Sequence, residues 1–359
     1  MINVTKSYLP DFDEYSQYLK GIWERVYLTN DGPLVQELEV QLREYLGVKH
    51  LKFCSNGTIV LQMALKALDI TKEVITTPFS YCATTNAILW AGCTPVFADI
   101  RPDDFCIDAD LIEPLITENT QAIMATHVYG NACRIDQIQE IAERFNLKVI
   151  YDAAHTFGAS YNGRSLLSYG DIATCSFHAT KVFHTIEGGC IVTDDDAMAD
   201  KLALYRSFGH RNDDYFSIGI NGKNSEFHAA MGLCNLPKVP QLIAARKQVF
   251  GWYADRLDFS RITRPTVAPG VDYNYAYYPV VLESEAKLFA VREALNANQI
   301  FPRRYFYPSL NTLPYAHPGG VQSCPVSESV AVRALSLPLY PDLPESDVAR
   351  ICDIVNKTA

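Results

Sequence analysis

Between residue 50 and about residue 195, short β-branched runs alternate with longer stretches whose apolar positions recur at helical spacing. Runs at 51–54, 74–77, 95–99, 122–127, 148–152, 173–177 and 190–193 predict strands, while 58–68, 84–91 and 135–145 predict helices. Nearly continuous apolar strands separated by helices indicate a largely parallel sheet covered on both faces. Helical patterns also occupy 11–26 and 34–45, and the pattern alone lets them pack on either half of the molecule. After Leu236 the text changes: Pro237, Pro240, Pro265, Pro269 and Pro279 punctuate it, and helices at 285–298 and 345–357 flank a Pro- and Tyr-rich stretch. The expectation is an α/β protein with a large domain at 1–236 and a smaller C-terminal α+β domain at 237–359. No internal repeat or low-complexity segment interrupts this plan.

Composition changes the picture in two ways. The 31 basic and 41 acidic residues leave a net charge of −10, so no global field draws the chain to nucleic acid or to an anionic membrane. No run approaches the roughly 20 apolar residues that span a bilayer, and the first ten residues lack the pattern of a signal peptide. Ten cysteines are scattered with no two three apart, which excludes zinc-ribbon and thioredoxin-type motifs and predicts no metal site. Most lie in apolar runs, as expected of reduced thiols in a cytoplasmic protein.

In open α/β sheets, ligands gather at the carboxyl ends of the strands. The first predicted strand ends in Cys54-Ser55-Asn56-Gly57-Thr58 and runs into a helix, whose free N–H groups suit a phosphate. Asn-Gly is equally a common turn, and Thr58 a common N-cap. The strand at 148–152 ends in Asp152-Ala153-Ala154-His155, where the aspartate either holds a protonated ring nitrogen or caps a helix. The next strand runs through Ser176-Phe177-His178-Ala179-Thr180 to Lys181, followed by Glu187-Gly188-Gly189. A lysine in a dry pocket has a depressed pKa and forms Schiff bases, although most lysines are merely solvated. Ser176 offers a hydroxyl to the same phosphate, and Tyr81 an aromatic face. Together these parts match what pyridoxal 5'-phosphate (PLP) requires.

The sequence resembles the sugar-nucleotide aminotransferases, the DegT-like branch of the fold-type-I PLP enzymes. Ser55 to Thr58, Thr77-Pro78-Phe79-Ser80-Tyr81-Cys82-Ala83-Thr84, Asp152 to His155, Ser176 to Lys181 and Glu187-Gly188-Gly189 carry the likeness. Gly219-Ile220-Asn221, Leu28-Thr29-Asn30-Asp31-Gly32-Pro33-Leu34 and Leu335-Ser336-Leu337-Pro338 extend it over nearly the whole chain. The resemblance implies a mostly parallel seven-stranded sheet in a three-layer α/β/α large domain. It implies that Lys181 binds the cofactor aldehyde, Asp152 pairs with its ring nitrogen and Tyr81 lies on the ring. Asn56, Gly57, Thr58 and Ser176 would hold the phosphate, and Asn221 would reach it from a neighbouring subunit, making a homodimer with shared sites. His155 stands where the family often has glutamine; it can make the same bond to the ring oxygen, but its protonation would alter the cofactor's chemistry. Gly222-Lys223-Asn224 replaces the usual Tyr-Arg-Met.

The implied reaction moves the amino group of L-glutamate to a keto-sugar nucleotide, with the cofactor alternating between PLP and its pyridoxamine form (PMP). The run from Ser176 to Thr185 is most similar to members acting at the sugar C4, so dTDP-4-keto-6-deoxyglucose is the expected acceptor, for O-antigen or related glycan synthesis. Thr29, Asn30, Lys223, Arg303 and Tyr305 are the expected substrate contacts. C3-specific, UDP- or GDP-linked substrates and a non-catalytic PLP-fold sensor are the alternatives. A nicotinamide oxidoreductase would need a Gly-x-Gly-x-x-Gly turn, which Ser55 to Thr58 does not provide.

Overall fold

The computed structural model describes residues 1–316 and 320–359. Seven strands form the central sheet: β1 (His50–Cys54), β2 (Glu73–Thr76), β3 (Thr94–Phe97), β4 (Thr120–Thr126), β5 (Lys148–Asp152), β6 (Ile172–Ser176) and β7 (Gly189–Thr193). Their spatial order is β1-β7-β6-β5-β4-β2-β3, and only β7 runs antiparallel to its neighbours. All seven predicted strands are present, each within a residue or two of its expected bounds.

Successive strand residues point to opposite faces, and the cores follow that alternation. Cys54, Val74, Met124, Ile150, Ile172 and Ile191 pack under helices α3 (Gly57–Ala67), α4 (Ala83–Trp90) and α6 (Asp196–Arg206). Their sequence neighbours Phe53, Ile75, Ala125, Tyr151, Ala173 and Val192 face α2 (Pro33–Leu46), α5 (Ile135–Phe145) and α7 (Glu226–Asn235). The result is the expected three-layer α/β/α arrangement. Helix α1 (Phe12–Arg25) joins α2 against α7, so both N-terminal helices pack with the sheet.

A second core takes Ile2 and then residues from Val249 to Ala359. Helix α8 (Val239–Arg256) links the two: Val239 lies in the first core, while Val249 and Tyr253 lie in the second. Strands β8 (Tyr278–Val281) and β9 (Ala334–Leu337) pair antiparallel there, covered by α9 (Glu285–Ala297) and, after α10 (Pro325–Arg333), α11 (Glu345–Thr358).

The sheet core buries an imidazole. His127 stacks on Tyr151 at 4.5 Å, and its Nδ1 accepts the Cys133 N–H at 3.1 Å. Burial pushes this ring down from 6.5 to about 3. The unfolded chain therefore binds a proton below about 6.5 that the folded chain refuses until about 3. Stability contributed by the neutral ring is present above the upper value and drains away as pH falls, at up to about 1.4 kcal/mol per pH unit. His127→Asn, which keeps an acceptor for Cys133, should flatten that acid slope by roughly one proton; urea midpoints measured from about pH 4 to 7 would check it.

Candidate active site

Because β7 runs opposite to β1 and β6, its first residue lies where those strands end. Gly189 is paired with Cys54 on one side and Ser176 on the other. Asp152 ends β5 at the same edge of the sheet, two strands from β7, its register partner Thr174 lying two residues before Ser176. Two glycines allow the close approach. A Cβ on Gly189 would meet the Asn56 carbonyl at 2.7 Å, and one on Gly57 would meet Ser176 Cβ at 2.8 Å.

The resulting cavity, about 300 Å³, is lined by Asn56, Gly57, Thr58, Tyr81, Asp152, His155, Ser176 and Lys181, with Tyr277, Arg303, Tyr305 and Phe306 closing it from the C-terminal third. Every cofactor-contact residue expected from sequence is here except Asn221. Of the expected substrate contacts, Arg303 and Tyr305 are here, while Thr29, Asn30 and Lys223 are not.

The cap of α3 is Asn56 rather than Thr58. Asn56 has extended backbone angles, and its Oδ1 accepts the Thr58 N–H at 3.0 Å and the Ile59 N–H at 2.8 Å. Those two amides are thus satisfied within the chain, leaving the Gly57 N–H and the Thr58 and Ser176 hydroxyls as donors to an anion at the helix N-terminus.

Asp152 is buried, and a turn rather than a helix follows it, so the capping alternative does not apply. Thr84 Oγ1 donates to its Oδ2 at 2.7 Å and the Ala154 N–H to its Oδ1 at 3.1 Å. Burial raises its pKa, against opposition from those two hydrogen bonds and the charge of Lys181. A cation at this carboxylate would relieve the desolvation cost.

Lys181 follows β6 in a turn, and its Nζ donates to the Tyr277 hydroxyl at 3.3 Å. His155 stacks on Phe306 at 5.3 Å and meets the Tyr277 ring edge-on at 5.1 Å. Burial first, and then the charge of Lys181, hold its imidazole well below the usual histidine range. Protonation, which would have altered the cofactor's chemistry, is therefore opposed, and a neutral ring keeps a buried Nδ1 with no partner among the described residues. Tyr81 is 60% exposed at the cavity wall.

Tyr277, Phe306, Ser80 and Thr84 were not singled out from sequence. Tyr277 follows Tyr273 and Tyr275 in an irregular stretch and precedes Tyr278, the first residue of β8, and nothing local separates the one facing Lys181 from the others.

The remaining candidates form a separate surface region. Asn221 is bridged to Ser207, and Lys223 Nζ lies 4.5 Å from the centre of the Phe208 ring. Burial and the Arg206 charge push the Lys223 amine down. Thr29 Oγ1 reaches the Asn224 carbonyl at 3.5 Å, and Asn30 and Asp31 both adopt left-handed backbone, at φ 64 and 61°. The departure at Asn224 has a structural role: its side-chain amide donates to the carbonyls of Cys54 at 3.2 Å and Glu187 at 3.0 Å. Buried Glu226 caps α2 across space, accepting the N–H groups of Leu34 and Val35, each at 3.0 Å, while its own N–H donates to Leu28. Its carboxyl carbon lies 2.6 Å from where a Cβ on Gly32 would stand, so a larger residue there would displace the cap.

The buried, unpartnered His155 Nδ1, the spare donors at Gly57, Thr58 and Ser176, and the desolvated Asp152 together fit a planar phosphorylated base carrying a cationic nitrogen. The comparisons agree. The DegT/DnrJ/EryC1/StrS aminotransferase family model matches residues 11–356. A dTDP-4-amino-4,6-dideoxy-D-glucose transaminase from Escherichia coli is 39% identical over 366 residues, covering 99% of this chain and 98% of that protein. The crystal structure of DesI in the presence of its TDP-sugar product superposes with a TM-score of 0.94 at 32% identity, over 99% of this chain and 92% of that one. The PLP form of the putative sugar aminotransferase Spr1654 from Streptococcus pneumoniae superposes at 0.90 with 25% identity, over 98% of each chain.

Proposed function

Because the chain belongs to the DegT/DnrJ/EryC1/StrS aminotransferase family, we propose that it moves the amino group of L-glutamate to the C4 keto carbon of dTDP-4-keto-6-deoxyglucose. Its cofactor is PLP. The observation that carries the reading is one cavity into which the Lys181 amine, the Asp152 carboxylate and the N-terminus of α3 all open. The names of the E. coli relative and of DesI's bound product support the choice of sugar.

When bound, the cofactor supplies a carbon that carries the amino group and a cationic ring that takes up electrons. Gly57, Thr58 and Ser176 bind its phosphate, with Asn56 holding the turn that aims them. Asp152 keeps a proton on the ring nitrogen. Neutral His155 offers Nδ1 to the ring oxygen, and Tyr81 covers one face. Lys181 is the amine that fixes the cofactor, and its Nζ moves the proton at the donor's Cα. Tyr277 orients that nitrogen. Arg303, exposed at the mouth of the cavity, and Tyr305 receive the sugar diphosphate, since a guanidinium fork suits phosphate oxygens. Glutamate and keto sugar use the same pocket in turn, which gives ping-pong kinetics.

The working unit is a homodimer, in which Thr29, Asn30, Asn221 and Lys223 serve the neighbour's cavity. Phe208, Tyr215, Phe216 and Ile218, each at least half exposed in the single chain, support that assembly. The ten free, mostly buried thiols support a cytoplasmic location.

A panel of keto-sugar nucleotides with L-glutamate, read by mass spectrometry, tests the substrate. The dTDP-linked 4-keto sugar should be converted fastest. Faster conversion of a 3-keto, GDP-linked or UDP-linked substrate would overturn the choice.

A further inference from the structure

Asp152 does not stand alone at the end of β5. Behind it lies a file of buried hydroxyls from two neighbouring segments. Thr84 Oγ1 is 2.7 Å from Asp152 Oδ2, Ser80 Oγ is 2.8 Å from Thr84 Oγ1, and Thr126 Oγ1 is 3.2 Å from Ser80 Oγ. Ser80, Thr84 and Thr126 are all 2% exposed or less. Thr126 ends β4 directly beside Asp152 in the sheet register, so the file begins and ends on adjacent strands.

The direction of the file follows from proton counting. A hydroxyl has one proton to give, and an ionised carboxylate only accepts. Thr84 therefore spends its proton on Asp152, Ser80 must donate to Thr84, and Thr126 must donate to Ser80. No other arrangement keeps Asp152 charged with all three bonds made. Hydrogen bonds aligned in one direction polarise one another, and a bond ending on a charge is the strong kind. The turn from Ser80 to Thr84 thus has two outputs, since Tyr81 points outward to the cavity while Thr84 points inward to the carboxylate.

We propose that Thr84 is a positioning residue for the cofactor's ring nitrogen, acting through Asp152, and that Ser80 and Thr126 fix the orientation of the Thr84 hydroxyl. Thr84 fixes which way the carboxylate plane faces and supports its negative charge where the side chain is buried. The proposal rests on the reading of Asp152 as the ring-nitrogen partner.

The test uses the full chain carrying Thr84→Val, Thr84→Ser, Ser80→Ala or Asp152→Asn. PLP is titrated into each apo-protein, the visible absorption of the bound cofactor is recorded, and apo-protein melting is followed as a check on folding. Thr84→Val should weaken PLP binding about 10- to 100-fold and alter the absorption band, with apo-protein melting little changed. Thr84→Ser should restore binding to within about threefold. Ser80→Ala should lose about three- to tenfold, because Thr84 then lacks the donor that orients it. If Thr84→Val does not fold, the Ser80→Ala loss still carries the proposal, and wild-type binding by Ser80→Ala would then overturn it. Wild-type binding and spectrum in Thr84→Val, with Asp152→Asn impaired, would overturn the role of Thr84 while leaving the site reading intact. A serine variant behaving like the valine variant would also overturn it, since packing of the methyl would then explain the effect. Unchanged binding and spectrum in Asp152→Asn would instead remove the site reading itself.

Discussion

Lys181→Ala should lower transamination by about four orders of magnitude, since it removes both the covalent anchor and the proton carrier at the donor's Cα. The geometry makes this nitrogen hard to replace. Lys181 Nζ lies in the cavity with the Tyr277 hydroxyl as its partner at 3.3 Å. Among the described residues, no other lysine of the same chain lines this cavity. Borohydride treatment of the wild-type protein should add the cofactor's mass to the peptide containing Lys181 and to no other. The alanine variant should still bind PLP reversibly, because the phosphate donors and Asp152 are untouched. Full turnover without Lys181, or an adduct on another lysine, would overturn the assignment.

A second large effect concerns stability. Glu39, on α2, accepts the Phe53 N–H at 2.8 Å and Arg206 Nη1 at 2.5 Å, with Lys52 Nζ at 3.6 Å. Arg206 is 3% exposed; it also donates to the Phe53 carbonyl at 2.9 Å and to Asp31 at 2.8 Å. Glu39→Ala would remove the most buried carboxylate partner of the Arg206 guanidinium, leaving it the Phe53 carbonyl and Asp31, and would leave the Phe53 amide without its acceptor. Breaking one side of a buried pair costs about 3–5 kcal/mol, and chemical denaturation at neutral pH should show a loss of that order. Asp31 is a poorer substitute, since its side chain is 43% exposed and the pair is partly screened. The double variant Glu39→Leu with Arg206→Met should regain much of the loss, because two apolar groups leave no charge unpaired. A single-variant loss below about 1 kcal/mol would show that Asp31 and solvent suffice to hold the arginine.

The alternation of apolar strands and periodic helices made the sheet legible, because each strand is buried on both faces and flanked by turn residues. The ends were less so. Residues 74–77 read as a strand, yet the ladder runs Glu73–Thr76, since the pairing of Glu73 with Thr94 and Thr120 is a backbone property that side-chain polarity does not report. Asn56, Asp152, Ser176 and Lys181 were visible because each closes or follows a strand within a few residues of small neighbours. Tyr277 and Phe306 were not, because they reach the cavity from irregular segments far along the chain. Thr84 lay inside a recognised motif, but its inward aim depends on where α4 begins. Thr58, a common N-cap type, is not the cap of α3, because Asn56 two residues earlier holds the extended backbone that a cap requires and accepts both free amides.

The cap at Glu226 has a bearing on engineering. Its carboxylate grips the start of α2, its amide grips Leu28, Arg206 grips Asp31, and the Gly222 carbonyl takes the Ser55 N–H at 2.9 Å. The corner at 28–32 and the stretch at 221–226 are therefore one interlocked bracket contributed by two distant pieces of chain. A chimera that borrows either piece from a relative with different sugar preference would import half a joint. Swaps intended to retune selectivity should carry both pieces in the same graft.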